Sequence, residues 1–363
     1  MKNSFGKALT LTLFGESHGE AIGCVLDGLA PGAEVDPDAI RLALSRRRPA
    51  GQISTGRREP DEFRIVSGVY EGKATGTPLC ILIPNVAQHS KDYAKNAPYR
   101  PGHADFTAEM KYHGFQDPRG GGHFSGRLTA PLVAAGAILR GALAKKGIVI
   151  GTHIAAIHGV KDTPFEGSRR EMEYLENAPF PTLSAEAGEK MQAEILAARE
   201  KGNSVGGILE TAVSGMPAGV GEPWFDTMEG ELSHALFSIP AVKGLEFGAG
   251  FGFAELYGSE ANDAFICENG VIRTRTNQNG GINGGITNGM PLTFRTVIKP
   301  TPTVSVEQDT VSPDGTALRL AAGGRHDPCI VHRACIVQNS VTALVLYDAL
   351  AARYGTDYFG ECR

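Results

Sequence analysis

The stretch Ala8-Leu9-Thr10-Leu11-Thr12-Leu13-Phe14-Gly15-Glu16-Ser17-His18-Gly19 sets both the fold class and the chemistry to look for. Leu9, Leu11 and Leu13 alternate with Thr10 and Thr12, the period-two pattern of a strand with one buried face. The strand runs into a histidine held between a serine and a glycine, at a strand end where loops present chemistry. Alternation of the same kind predicts strands over residues 63–67, 79–84, 148–157, 207–214 and 292–299. Helices are predicted over 38–47, 129–146, 185–201, 227–237 and 341–353. Asp36 and Pro37 start the first and Pro49 closes it, while Gly147 and Gly202 end the second and third. The strands come in groups, without the strict strand–helix alternation of a doubly wound parallel sheet. That predicts an α+β fold of layered sheets and helices. With no repeat and no linker, residues 1–363 read as one domain, with 160–205 a helical surface excursion.

The 363 residues include 42% hydrophobic and 21% charged side chains, an ordinary globular mix long enough to bury a large core. Forty-seven glycines without a repeat point to many tight turns and close backbone approaches. The net charge of −5 argues against a general nucleic-acid or membrane-surface binder, which carries a basic excess. No apolar run reaches bilayer length, since the best, at 131–139, stops at Arg140. Six cysteines without a CxxC pair read as reduced thiols, hence a cytoplasmic protein. Local charge is another matter. Between Arg46 and Arg64 there are six arginines and no lysine, and the planar guanidinium fork suits carboxylate and phosphate.

Further polar, glycine-studded stretches join the first. In Arg46-Arg47-Arg48-Pro49, at a helix end, Arg48 is nearest the break and is the functional candidate, with Arg46 and Arg47 structural. In Arg100-Pro101-Gly102-His103-Ala104-Asp105, stiff neighbours aim His103, and Asp105 is placed to accept its ring N–H as acid–base histidines require. A metal reading of His103, Asp105 and His113 lacks companion ligands at metal spacing. Arg119-Gly120-Gly121-Gly122-His123-Phe124-Ser125-Gly126-Arg127 runs into the helix at 129 and exposes backbone N–H groups to an anion. It is not a Walker loop, and Gly248-Ala249-Gly250-Phe251-Gly252-Phe253 fails the dinucleotide fingerprint at its last position. The dense run from Asn279 to Gly289 and the segment Gly323-Gly324-Arg325-His326-Asp327-Pro328-Cys329 allow close backbone approach to a flat or phosphorylated ligand. Between them lies Lys299-Pro300-Thr301-Pro302-Thr303. Each stretch alone is consistent with a turn, but three carry arginine beside histidine or serine.

The ordered set GESHG, RRRP, RPGHAD, RGGGxxSxR, NGGINGGITNG and GRHDPC resembles the chorismate synthase family over nearly the whole chain. The resemblance implies a β-α-β sandwich of antiparallel sheets around helices, assembled as a homotetramer. It implies a lyase that eliminates phosphate and a proton from 5-enolpyruvylshikimate 3-phosphate, with reduced FMN required and no net redox change. An external reductant would keep the flavin reduced. By resemblance, Arg48, Arg100, Arg127 and Arg325 bind substrate anions, and His18 stands at the departing phosphate. His103 lies against the reduced flavin, Asp327 takes part with it in removing the ring proton, and Ser17 and Ser125 assist. Flavin contacts fall on Arg48, His123, Phe124, Ser125, Ala241, Gly285, Lys299, Pro300, Thr301, Pro302, Thr303 and Arg325. The chain departs from the family pattern at residues 50–54, at Phe124, at Pro240 and at His332, which takes a place often held by proline.

Two other classes compete. A phosphate-ester binding protein would keep the anion site without the chemistry, but a chain freed from catalysis would be expected to lose His18, His103 or Asp327 first. A flavin reductase would show a dinucleotide fingerprint and alternating strands and helices, and neither is present.

Overall fold

The alternation at Leu9, Leu11 and Leu13 forms a strand, and its neighbours complete a sheet that the sequence shows only in part. The structure, a computed structural model, describes residues 2–49, 51–55, 60–86, 97–322 and 327–360. The first part of the chain supplies β1 (Ser4–Phe5), β2 (Thr10–Gly15), β3 (Ala21–Asp27), β4 (Arg64–Ser67), β5 (Val69–Tyr70), β6 (Lys73–Ala74) and β7 (Leu79–Pro84). The second part supplies β8 (Val149–Ile157), β9 (Val160–Lys161), β10 (Gly207–Ser214) and β11 (Val242–Phe247). Two hairpins follow, β12 (Phe265–Glu268) with β13 (Val271–Thr274) and β14 (Ile282–Asn283) with β15 (Ile286–Thr287). Then come β16 (Leu292–Ile298) and a last hairpin of β17 (Gln308–Val311) and β18 (Ala317–Leu320). One five-stranded sheet has the order β1-β2-β3-β7-β4 and the other β11-β16-β10-β8-β9. Neighbours in both are antiparallel.

The helices are α1 (Pro37–Arg47), α2 (Asp105–Tyr112), α3 (Thr129–Lys145), α4 (Arg169–Asn177), α5 (Ala185–Glu200), α6 (Met228–Leu236), α7 (Gly258–Ala261) and α8 (Val331–Tyr354). Helices α1, α3 and α8 pack on one another; α3 lies on β3 and β7, and α8 on β8 and β10. The result is a β-α-β sandwich, the α+β class the grouped strands predict. Local chemistry explains the helix ends. Asp36 accepts the N–H of Asp38 and Pro37 opens α1, and Ser184 caps α5 through the N–H of Ala187.

The middle layer is where the sequence misleads most. Helix α8 begins ten residues before the predicted start, because Gln338, Asn339, Ser340 and Thr342 break the apolar pattern. All four are buried and satisfied. Thr296 donates to Gln338 at 2.6 Å, Gln338 to Thr211 at 2.7 Å and Thr152 to Asn339 at 2.6 Å, stitching the helix to β16, β10 and β8. Ser340 and Thr342 donate back to the carbonyls of Ile336 and Gln338. Helix α3 is buried at every position from Thr129 to Leu139, and its small residues allow close approach. A Cβ added at Gly136 would lie 2.3 Å from the Cβ of Ser340. The stretch Gly126–Lys145 and the helix Val331–Tyr354 are long and apolar enough to cross a membrane, contrary to the limit expected at Arg140. Both lie mostly buried against the rest of the protein, as core helices do.

Two further contacts fix the frame. Asp348, near the end of α8, accepts the backbone N–H groups of Lys7, Ala8 and Leu9 at 2.7–3.0 Å, holding the start of β2. His153 of β8 is buried between Asp162 at 2.9 Å and Glu210 at 3.0 Å. Asp162 also accepts the N–H groups of Leu183 and Ser184, ahead of α5. In the 160–205 region α4 packs on β8 through Met172, and α5 buries Met191 and Ile195.

Candidate active site

Strand β2 ends at Gly15, and the loop beyond it meets the triple glycine head on. The N–H of Ser17 donates to the carbonyl of Gly122 at 3.2 Å, and the Nδ1–H of His123 donates to the carbonyl of Gly15 at 2.8 Å. His123 thus splices two loops together. Gly120, Gly121 and Gly122 all have positive φ, of 61°, 88° and 53°. Only glycine holds such a run without strain. A Cβ at Gly120 would lie 2.2 Å from Cε1 of His18, and one at Gly121 would lie 3.4 Å from Nε2 of His103. The glycine run is therefore the floor on which the two histidines converge.

Each imidazole has its Nδ1 fixed. The Ser17 hydroxyl donates to the carbonyl of Arg119 at 3.2 Å, which leaves its oxygen to accept from Nδ1 of His18, also at 3.2 Å. Both Ser17 and His18 are buried. Nδ1 of His103 donates to Asp105 at 2.6 Å. Arg100 grips the same carboxylate with Nε at 2.8 Å and Nη2 at 2.7 Å. Burial alone would raise the Asp105 pKa, but these hydrogen bonds and charges overcome it and hold the carboxyl well below its usual range. Since Nδ1 carries the proton given to Asp105, the 3.1 Å approach of Arg100 Nη2 to that nitrogen is a contact and not a second hydrogen bond. Arg100 serves Asp105 first.

The loop from Lys299 to Thr303 borders His103. Lys299 Nζ donates to the carbonyl of Gly102 at 2.5 Å, and Pro302 lies 3.5 Å from where a Gly102 Cβ would be. Lys299 N–H donates to Ala241, a non-glycine residue at φ 75°. Thr301 gives its carbonyl to Ser204, while its Oγ1 is buried with no partner among the described residues. Thr303 is buried. Ser125 caps the short turn before α3 by accepting the N–H of Arg127, and Phe124 packs edge-on against Tyr112. Gly285 lies against the start of α6: its carbonyl takes the N–H of Met228, and a Cβ added to it would lie 2.6 Å from the carbonyl oxygen of Glu222 and from Thr227 Cγ2.

A second group centres on Asp61, which sequence reasoning passed over. Its Oδ1 takes Nη1 of Arg127, its Oδ2 takes Nη2 of Arg47 at 2.9 Å, and Nε of Arg48 stands 3.5 Å from Oδ2. Arg127 is almost wholly enclosed, its side chain 5% exposed, and it also donates to Asn85 and to the carbonyl of Pro84. Arg48, at 34%, is the arginine of the group that reaches outward, and it also donates to the carbonyl of Pro60. Burial pushes the Arg47 guanidinium down to about 10. Asp61 itself is held below the carboxylate range: burial raises it, and Arg47 and Arg127 more than compensate. Arg46 turns aside to Glu176. Asp327 sits next to this group, taking the N–H of Thr55 at 2.9 Å and Nη1 of Arg333, whose Nε donates to the carbonyl of Arg47. Arg325 lies outside the described residues. Asn85 joins the two halves of the site, accepting from Arg127 and donating to the carbonyls of Glu16 and Gly19 on either side of His18.

Fold and site together define a class: an antiparallel sandwich presenting two oriented imidazoles over a glycine floor, beside clustered guanidiniums. Comparison with known proteins supplies the family. The family model for chorismate synthase matches residues 9–351. The chorismate synthase of Thermococcus gammatolerans is 47% identical over 96% of this chain and 97% of its own. That of Dehalococcoides mccartyi is 45% identical over 98% of both. A crystal structure of chorismate synthase superposes with a TM-score of 0.76 at 28% identity, covering 97% of this chain and 94% of that one. The chain belongs to the chorismate synthase family, and is accordingly an enzyme, a lyase of aromatic amino-acid biosynthesis.

Proposed function

We propose that the chain catalyses the 1,4-elimination of phosphate from 5-enolpyruvylshikimate 3-phosphate to give chorismate, with reduced FMN bound beside His103. The observation that carries this reading is the convergence of His18 and His103 on the Gly120–Gly122 floor, with Arg127 and Asn85 linking it to the arginine group. The substrate bears two carboxylates and a phosphate, and a cluster of Arg47, Arg48, Arg127 and Arg333 against Asp61 and Asp327 among the described residues suits such an anion. Arg48 meets the anion directly, Arg127 contributes its field from behind, and Arg100 works through Asp105.

His18 donates Nδ1–H to Ser17, so Nε2 is the ring atom that carries a second proton and gives it to the departing phosphate. His103, its Nδ1 fixed by Asp105, presents Nε2 to the ligand space above Gly121 and stabilises negative charge there. Asp327, held by Thr55 and Arg333, takes part in removing the ring proton. Phosphate and proton leave together, so the reaction has no net redox change. Residues fit a phosphorylated flavin at the Lys299–Thr303 loop, where Thr301 Oγ1 is buried and unpartnered among the described residues and a cationic Lys299 stands beside Gly102. Lys299 to Thr303, Ala241, His123, Phe124, Ser125 and Arg48 would hold it, with Arg325 and Gly285 as further contacts. Reduced FMN held there would supply electron density to the substrate's ring with no net change in its own oxidation state. An external reductant keeps the flavin in that state, and the cytoplasm is the compartment that suits it.

We read residues 1–363 as one domain, assembled as a homotetramer. Trp224 and Phe225, 83% and 95% exposed in the single chain, together with Phe251, Phe265 and Ile272, support burial against further copies. The test is anaerobic turnover with supplied reduced FMN, following phosphate and chorismate, with light scattering for the assembly. His18→Ala and His103→Ala should each lose about 10²–10⁴-fold in kcat, the scale of a positioned acid or base, while keeping fold and tetramer. Near-normal turnover in both would sink the assignment, and a monomeric wild type would remove the assembly.

A further inference from the structure

The geometry points to Asp61 as a positioning residue that sets the arginine cluster and the His18 loop in register for the anionic substrate. This inference rests on the reaction read above and adds to it a residue that touches no substrate.

Asp61 divides its two oxygens. Oδ1 holds Arg127 and Oδ2 holds Arg47, with Arg48 Nε at 3.5 Å from the latter. Arg47 and Arg127 are both buried, and two buried guanidiniums so close repel each other unless an anion stands between them. Asp61 is that anion. Its φ of 51° is left-handed, a conformation aspartate adopts at modest cost. The consequence runs in two directions. Outward, it leaves Arg48 half-exposed at the lip of the cluster. Inward, Arg127 passes the register to Asn85, and Asn85 fixes the carbonyls of Glu16 and Gly19 that bracket His18. One carboxylate thereby spaces the substrate-facing guanidinium and the loop that carries the proton donor. A misplacement of either by an ångström is costly when binding depends on aligned charges.

The test is the steady-state behaviour of Asp61→Asn in the full-length enzyme, with asparagine chosen because it keeps both the size and the left-handed backbone. The expected result is a KM for 5-enolpyruvylshikimate 3-phosphate raised about tenfold or more in a variant that keeps the wild-type fold by circular dichroism. A purely structural Asp61 would lower Tm and leave KM of the folded enzyme unchanged, which would overturn the inference. Should Asp61→Asn fail to fold, Asp61→Glu carries the test, since it keeps the charge and displaces it by one methylene. KM raised several-fold in Asp61→Glu supports the role, and a wild-type KM overturns it. Wild-type enzyme that releases no phosphate overturns the reading of the reaction and this inference with it. Normal wild-type turnover with an unchanged Asp61→Asn KM overturns the inference alone.

Discussion

At Gly120 a single hydrogen atom stands where any other residue would place a carbon, and His18 occupies the space. Its φ of 61° costs alanine about 1 kcal/mol, whereas a Cβ 2.2 Å from the imidazole is a collision that something must relieve. The neighbour that moves is His18. Gly120→Ala should therefore lower kcat about 10²-fold, close to the loss in His18→Ala, while Tm falls only a few degrees. An unchanged kcat in the folded variant would show that the histidine does not need its present seat. Residues at this scale were unevenly legible. His18 stood out in the sequence because it lies between Ser17 and Gly19 at a strand end, and His103 because it follows Arg100, Pro101 and Gly102. Asp61 did not, because nothing in Glu59-Pro60-Asp61 distinguishes a buried hub from a solvated turn. Asn85 was equally hidden, since its work is done with partners 42 and 69 residues away.

Among the elements, the crossing of α3 and α8 has the least slack. Alanine in place of Gly136 would add about 1 kcal/mol of helix propensity, but its Cβ would lie 2.3 Å from that of Ser340. Overpacking of a rigid core typically costs about 1–3 kcal/mol and wins. Gly136→Ala should lower Tm by several degrees, and Gly136→Ala with Ser340→Gly should recover much of it; a rise in Tm for the single variant would show that the helices can part. The outer strands were readable because alternation survives wherever one face is buried. Strands β3 and β11 and the start of α8 were not. Gly23 interrupts the first, Gly244 the second, and the polar run of Gln338 to Ser340 imitates a loop until its partners on three strands are known.

Across the whole molecule, stability should depend on pH through His153. Burial lowers its pKa, but the hydrogen bonds its ring donates to Asp162 and Glu210, with their charges, outweigh this and raise it above the ordinary 6.5. Its contribution is therefore complete below 6.5 and is lost as pH rises through the elevated value. Asp162, burdened by burial yet held below 3.8 by His153 and backbone N–H groups, contributes above 3.8 and fails as pH falls through its depressed value. The Tm gap between wild type and His153→Gln should be widest near about pH 5.5 and narrow as the solution becomes alkaline, and a gap that widens above neutrality would reverse the assigned sign. One other contact joins segments far apart in the chain. The clasp of Asp348 on the N–H groups of Lys7, Ala8 and Leu9 joins residues about 340 apart in sequence. On the ribosome, the strand that delivers His18 emerges long before the helix that locks it. Until α8 is released from the exit tunnel, the nascent chain carries a finished active-site loop on an unfinished anchor. A chain terminated before Asp348 should thus show no turnover of the substrate even where circular dichroism finds most of its sheets formed, and normal turnover in it would show that the clasp is dispensable.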